Sequence, residues 1–194
     1  MSWFPARVKP YVYWGISVLC FLVHLSIQVS SGMLVEQLSR DFELDSISIT
    51  FLLGMVFYPN ICLQIPAGMV TDRFGARRVL GTGAFICAAG AWGFAGAQTY
   101  VEACVYRVIM GAGLSFSFVS MAYLIANWMR RESFLMMFSI AEMIALFFSV
   151  VCMRYLSTFL EFSSWRDFTF YIAYMALFLS IVSFVFIRDK PHYL

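Results

Sequence analysis

The sequence predicts an all-α polytopic membrane protein with six transmembrane helices. Three observations carry this. Of 194 residues, 62% are hydrophobic and only 12% charged, about half the charged share of a soluble domain. The charges cluster and leave long apolar windows between them, as membrane spans require. The connections between windows alternate between basic and acidic character, which a soluble helical bundle has no reason to do. A closed β-barrel would instead show short alternating segments.

The first span is expected near residues 11–31. Arg7 and Lys9 precede it and resemble the start of a signal peptide, but SIQVSSG is a poor cleavage site. An uncleaved first span fits better. It carries His24 and Gln28 one turn apart. A histidine can gain a proton near neutral pH, so a transport role stands beside a purely local hydrogen bond. The second span covers 48–70 and holds Pro59 and Pro66. Each lacks a backbone donor and can kink the helix. Tyr58 and Asn60 are weaker candidates for the same polar interior.

GMVTDRFGARR follows, from Gly68 to Arg78. Three arginines there anchor a cytoplasmic loop, but that role does not require Gly68, Asp72 and Gly75 at their spacing. The third span, 79–97, is rich in glycine and alanine, which lets helices approach closely in lipid. QTY leads into the fourth span, 103–126. Arg107 lies several residues inside it. It either snorkels to the near surface or faces an internal cavity, where its guanidinium could hold a carboxylate or phosphate by paired hydrogen bonds. Gly111, one turn on, thins that same face and favours the cavity.

NWMRRES leads into the fifth span, 134–158. Glu142 sits well inside it, where a carboxylate either takes up a proton or pairs with a cation. Proton coupling and a structural hydrogen bond are both open to it. Arg154 either snorkels or meets Glu161. The sixth span covers 167–187. Arg7, Lys9, Arg73, Arg77, Arg78, Arg130, Arg131, Arg188 and Lys190 lie on one side. Most acids lie on the other, with Arg40 and Arg166. The positive-inside rule then makes both termini cytoplasmic, and compactness suggests a bacterial inner membrane.

Short linkers make sequential helices antiparallel neighbours, and residues 1–194 read as a single six-helix transmembrane domain. The five cysteines fall in apolar runs without CxxC spacing, so a metal site or disulfide framework is not expected. The arginines bracket spans and do not build a basic nucleic-acid face. There is no Walker lysine, HExxH or GxSxG. The residues indicate neither an enzyme nor a bound cofactor.

The loop resembles the signature between helices two and three of the major facilitator superfamily, through Gly68, Asp72, Arg73, Gly75, Arg77 and Arg78. Arg107, Gly111 and Gly113 resemble that family's fourth-helix pattern of an arginine before spaced glycines. Trp165–Arg166 before span six also looks family-like. The resemblance covers the chain as an N-terminal six-helix half with a 3+3 helix repeat. It implies secondary transport of a small solute by alternating access, with the loop as a conformational latch. In the family, the Asp72-type carboxylate sits near a helix start in the other half.

A second half is therefore expected, from another copy or another subunit. A fragment of a full transporter or a truncated product is the other possibility, and FVFIRDKPHYL resembles the start of the family's central loop. Span five lacks the glycine- and proline-rich pattern of drug–proton antiporters. Arg107 leans toward an organic anion, with protons as a candidate coupling ion. The competing expectation is a transporter half that acts as a non-transporting membrane partner.

Overall fold

The computed structural model describes residues 8–189, and all its regular structure is helical. Arg7 and Lys190, read as cytoplasmic basic residues, lie outside this range. Five helices are long and apolar enough to cross a bilayer: α1 (Lys9–Met33), α6 (Ala76–Gly96), α7 (Tyr100–Trp128), α8 (Phe134–Phe162) and α9 (Trp165–Phe186). Their bounds fall within a few residues of the expected spans. Each capping box marks where the apolar run of a span begins. Thr99 and Glu102 close the start of α7, and Ser164 and Asp167 close that of α9, satisfying amide groups that have no partner within the helix.

The second span departs from the expected single helix. It runs as α3 (Ser46–Gly54), α4 (Phe57–Cys62) and α5 (Gln64–Phe74). The breaks fall at Met55–Val56 and at Leu63, close to the carbonyls four residues before Pro59 and Pro66, whose missing N–H groups leave them without a helical donor. Met55, Val56 and Leu63 keep right-handed helical dihedrals, so the chain bends without reversing.

Between α1 and this span lies a short helix, α2 (Val35–Asp41), in a segment the sequence had marked only as a polar connection. Leu34 and Leu38 are fully buried beneath it. Gln37 donates to the carbonyls of Leu160 and Ser163, and accepts from the amide of Trp165. The Trp165 indole donates to Asp41 at 2.8 Å. Arg166 donates to the carbonyls of Ala95 and Ala97. The residues Trp165 and Arg166 thus tie three connections together at one end of the bundle.

Helix α6 packs closely against α7 and α9. Its small residues set that geometry. A Cβ on Gly83 would lie 2.9 Å from the Gly113 carbonyl, and one on Gly90 would lie 2.7 Å from the Met110 amide. Helix α1 packs against α7, α8 and α9. Helix α8 is the least covered, with Leu135, Met143, Leu146, Phe147 and Val150 all exposed. Lipid solvates such a face without the penalty it would meet in water.

Candidate functional site

One face of α1 carries a polar stripe through an otherwise apolar helix: His24, Gln28 and Ser31 recur every three or four residues. His24 is 4% exposed. Its Nε2 lies 2.8 Å from the Gln28 amide nitrogen and 3.3 Å from that of Asn60 on α4. With both amides donating, Nε2 is the acceptor and the ring proton sits on Nδ1. Helix α4 is thereby tied to α1 by a hydrogen bond onto a titratable ring.

One turn further along α1, Ser31 donates to the Ile27 carbonyl and accepts from Arg107 on α7 at 3.0 Å. The Arg107 guanidinium carbon stands 4.5 Å from the centre of the Phe94 ring on α6. Arg107 is 1% exposed. It is buried, not snorkelled to the surface. Among the described residues no carboxylate pairs with it. Three buried polar atoms of this stripe lack a hydrogen-bond partner: His24 Nδ1, Asn60 Oδ1 and Arg107 Nε. Two are donors and one is an acceptor, contributed by three different helices.

Gly111 does lie on the Arg107 face, but no open cavity occupies the space it leaves. The broken second span fills it. A Cβ on Gly111 would strike the Val56 carbonyl oxygen and the Pro59 ring. Gly113 turns toward α6 and meets the backbone of Gly83 and Cys87. Tyr58 is 60% exposed on another face of α4 and stays out of the polar stripe. Glu142 is half-buried on α8, beside the Ala141 and Ala145 positions that pack toward α1, and the structure does not bring it to His24 or Arg107. Arg154 is exposed and makes no ion pair with Glu161. Cys62 is exposed.

The arginine loop joins α5 to α6. Gly75 has φ +83°, with ψ 153°, a region open almost only to glycine. A Cβ there would also strike the Asp189 carboxylate just after α9. Asp189 accepts from the Arg77 amide at 2.6 Å, so it caps the start of α6 from a distant part of the chain. The Arg77 guanidinium donates to the Phe184 carbonyl at 2.8 Å, and the Trp128 indole donates to the Arg188 carbonyl. Gly68, Asp72, Arg73 and Arg78 remain on the outer side of this junction. Gly68 has only Val119 near its missing Cβ, at 3.9 Å, while Asp72, Arg73 and Arg78 are exposed.

The sequence model of the Major Facilitator Superfamily matches residues 16–194. The chain belongs to this superfamily. Its fold is similar to the inward-open xylose transporter XylE from E. coli, with TM-score 0.76 and 19% identity over 95% of this chain and 50% of that one. It is similar to a D-xylose–proton symporter, with TM-score 0.79 and 18% identity over 95% and 50%. It is also similar to a bacterial homologue of the human lysosomal transporter Spinster in an inward-facing, unoccupied conformation, with TM-score 0.69 and 14% identity over 98% and 45%. At such identities the likeness is one of fold. The chain spans about half the length of these solved structures. No curated protein sequence matches it. As a superfamily member it is an integral membrane protein, and its exposed apolar helices lie in the bilayer.

Sequence reasoning named Arg107, His24, Gln28 and Asn60 but missed Ser31, Phe94 and Asp189. Ser31 was within reach, being the next polar residue along the His24–Gln28 stripe. Phe94 and Asp189 carried no such signal, because their partners are remote in sequence.

Proposed function

We propose that the chain is one six-helix half of a secondary transporter that moves a small organic anion by alternating access. Arg107 is the observation that carries this reading. A cation at membrane depth costs about 2.5–3.5 kcal/mol or more. Its serine contact and aromatic face offset part of this, and no carboxylate among the described residues neutralises it. An anionic solute reaching Arg107 would supply the missing charge. His24, with Gln28 and Asn60, would orient the solute or take up a coupling proton. Glu142 serves as a secondary carrier from α8. The latch residues Gly68, Asp72 and the loop arginines face a second half, supplied by another copy, another subunit or further chain. Both termini of the half face the cytoplasm, in keeping with its basic loops.

The test is counterflow of labelled lactate, succinate and glycerol 3-phosphate in vesicles holding the assembled transporter. Arg107→Gln should cut exchange by about 10- to 100-fold, the loss expected for one charged hydrogen-bond partner. Assembly is checked by mass in the same preparation. Unchanged exchange overturns the role of Arg107, and absence of exchange in the intact assembly for every probe overturns the anion reading.

A further inference from the structure

Helices α1, α8 and α9 do not close on one another. They leave a cavity of about 350 Å³ lined by Leu22, Ser26, Phe148, Cys152, Tyr171 and Met175, among others. A second cavity of about 420 Å³ shares Phe148, Cys152, Phe168 and Tyr171 with it and extends to Tyr155 and Phe159. Together they form one groove. It starts near the α8–α9 connection and runs inward to Phe178 and Leu179. From Phe168 to Leu179 the α9 backbone rises about 16 Å. That is half of a hydrocarbon core of about 30 Å, the depth of a single leaflet.

Apart from Ser26, whose hydroxyl is bonded back to the Leu22 carbonyl, the groove walls are apolar except at the outer end. There Tyr155 and Tyr171 line the wall and are largely exposed, the placement of tyrosines at a headgroup boundary. Arg154 precedes Tyr155 on α8; it lines neither cavity and flanks the groove's edge, about 100° around the helix from Tyr155. It is exposed and unpaired with any carboxylate of the described residues. It lies eight residues before the end of α8, so its backbone sits about 12 Å inside the helix end. Helix α8 has 29 residues, or about 43 Å, longer than the hydrocarbon core by roughly 13 Å. An extended arginine at that depth reaches the phosphate layer. A guanidinium is well matched to a phosphodiester.

We infer that this groove is a lipid-binding site. One acyl chain of a phospholipid in the leaflet nearest the α8–α9 connection lies between α1, α8 and α9, and its phosphate is held by Arg154 with the Tyr155 and Tyr171 hydroxyls at the ester level. The site is separate from the polar stripe around Arg107 and stands whether or not the transported solute is an anion.

The experiment uses the purified full chain in vesicles of phosphatidylcholine and phosphatidylglycerol. These are doped with phosphatidylglycerol bearing a diazirine on one acyl chain, and labelled residues are mapped by mass spectrometry. Label should concentrate on Phe148, Cys152, Tyr171 and Met175 over other lipid-facing positions such as Leu135 and Val101. Arg154→Gln, at an exposed position, should lower groove labelling about fivefold, the effect of one interfacial arginine on an anionic headgroup. Cys152→Trp, which fills the groove, should remove it. Even labelling of all lipid-facing residues would overturn the site. Equal competition by unlabelled diacylglycerol and phosphatidylglycerol would overturn headgroup recognition. Suppression by millimolar inorganic phosphate would point to a free-anion site instead, and capture of a second copy of this chain by groove residues would make the face an interface.

Discussion

Replacing Gly111 by alanine places one methyl group against two rigid neighbours. The ideal Cβ strikes the Val56 carbonyl oxygen, and lies 2.7 Å from the Pro59 Cγ and 2.9 Å from the Val56 carbonyl carbon. Neither a backbone carbonyl nor a proline ring can rotate away, so α7 and the broken second span must separate. Overpacking of this kind costs about 1–3 kcal/mol, and the rigidity of the neighbours puts the cost in the upper half of that range. Alanine regains about 1 kcal/mol of helix propensity over glycine. The net loss is then about 1–2 kcal/mol, and a chain of this size should lose about 2–8 °C in Tm. Gly15 on α1 is the control, since nothing lies within 4 Å of its missing Cβ. Gly15→Ala should be neutral or raise Tm slightly. Thermal unfolding in one detergent, followed by tryptophan fluorescence, compares the two. If Gly111→Ala melts at or above the parent while Gly15→Ala behaves as expected, α7 does not touch the second span as described.

Ser31→Ala should destabilise by about 1.5–3 kcal/mol, because it strips a charged donor of its acceptor; in an Arg107→Met background the same change should cost almost nothing, and a double-mutant cycle on Tm reads the difference. Gly75→Ala forces a side chain into a glycine-only backbone region at about 1–3 kcal/mol; Asp189→Ala in that background relieves the clash but keeps the strain and removes the cap on α6, so it should restore little or no Tm. The Asp45 carboxylate caps the start of α3 by accepting from the Ser48 amide, and the Ser48 side chain, followed by that amide, holds its pKa below the ordinary carboxylate value. Its capping contribution is therefore complete above the unfolded pKa and lost as pH falls through the folded one. Asp45→Asn keeps the cap and should flatten that acid-side loss in a Tm-versus-pH series.

Five of the spans were legible because each is a long apolar window, and lipid demands little more of a helix than that. The second span shows where this reasoning stops. Pro59 and Pro66 announced an interruption, but the break positions depend on carbonyls one turn upstream. The packing that stabilises the bend comes from Gly111, on another helix. The short helix α2 escaped notice since seven residues with three charges, Glu36, Arg40 and Asp41, read as a polar connection, and only Leu34 and Leu38 hinted at a buried face. Within the site, Arg107 stood out by its charge. Its nearest neighbours did not, because Ser31 and Phe94 are ordinary membrane-helix residues until folding brings them to a guanidinium.

The cap on α6 has a consequence for how the bundle is assembled. The first turn of that helix is completed by Asp189, which is synthesised more than a hundred residues later. Until α9 has entered the membrane and docked, the arginine loop holds an unfinished helix end. The loop can thus serve as a built-in inspection point. A protease or labelling reagent that finds the Gly75–Arg77 backbone accessible is reading chains whose last helix has not yet arrived.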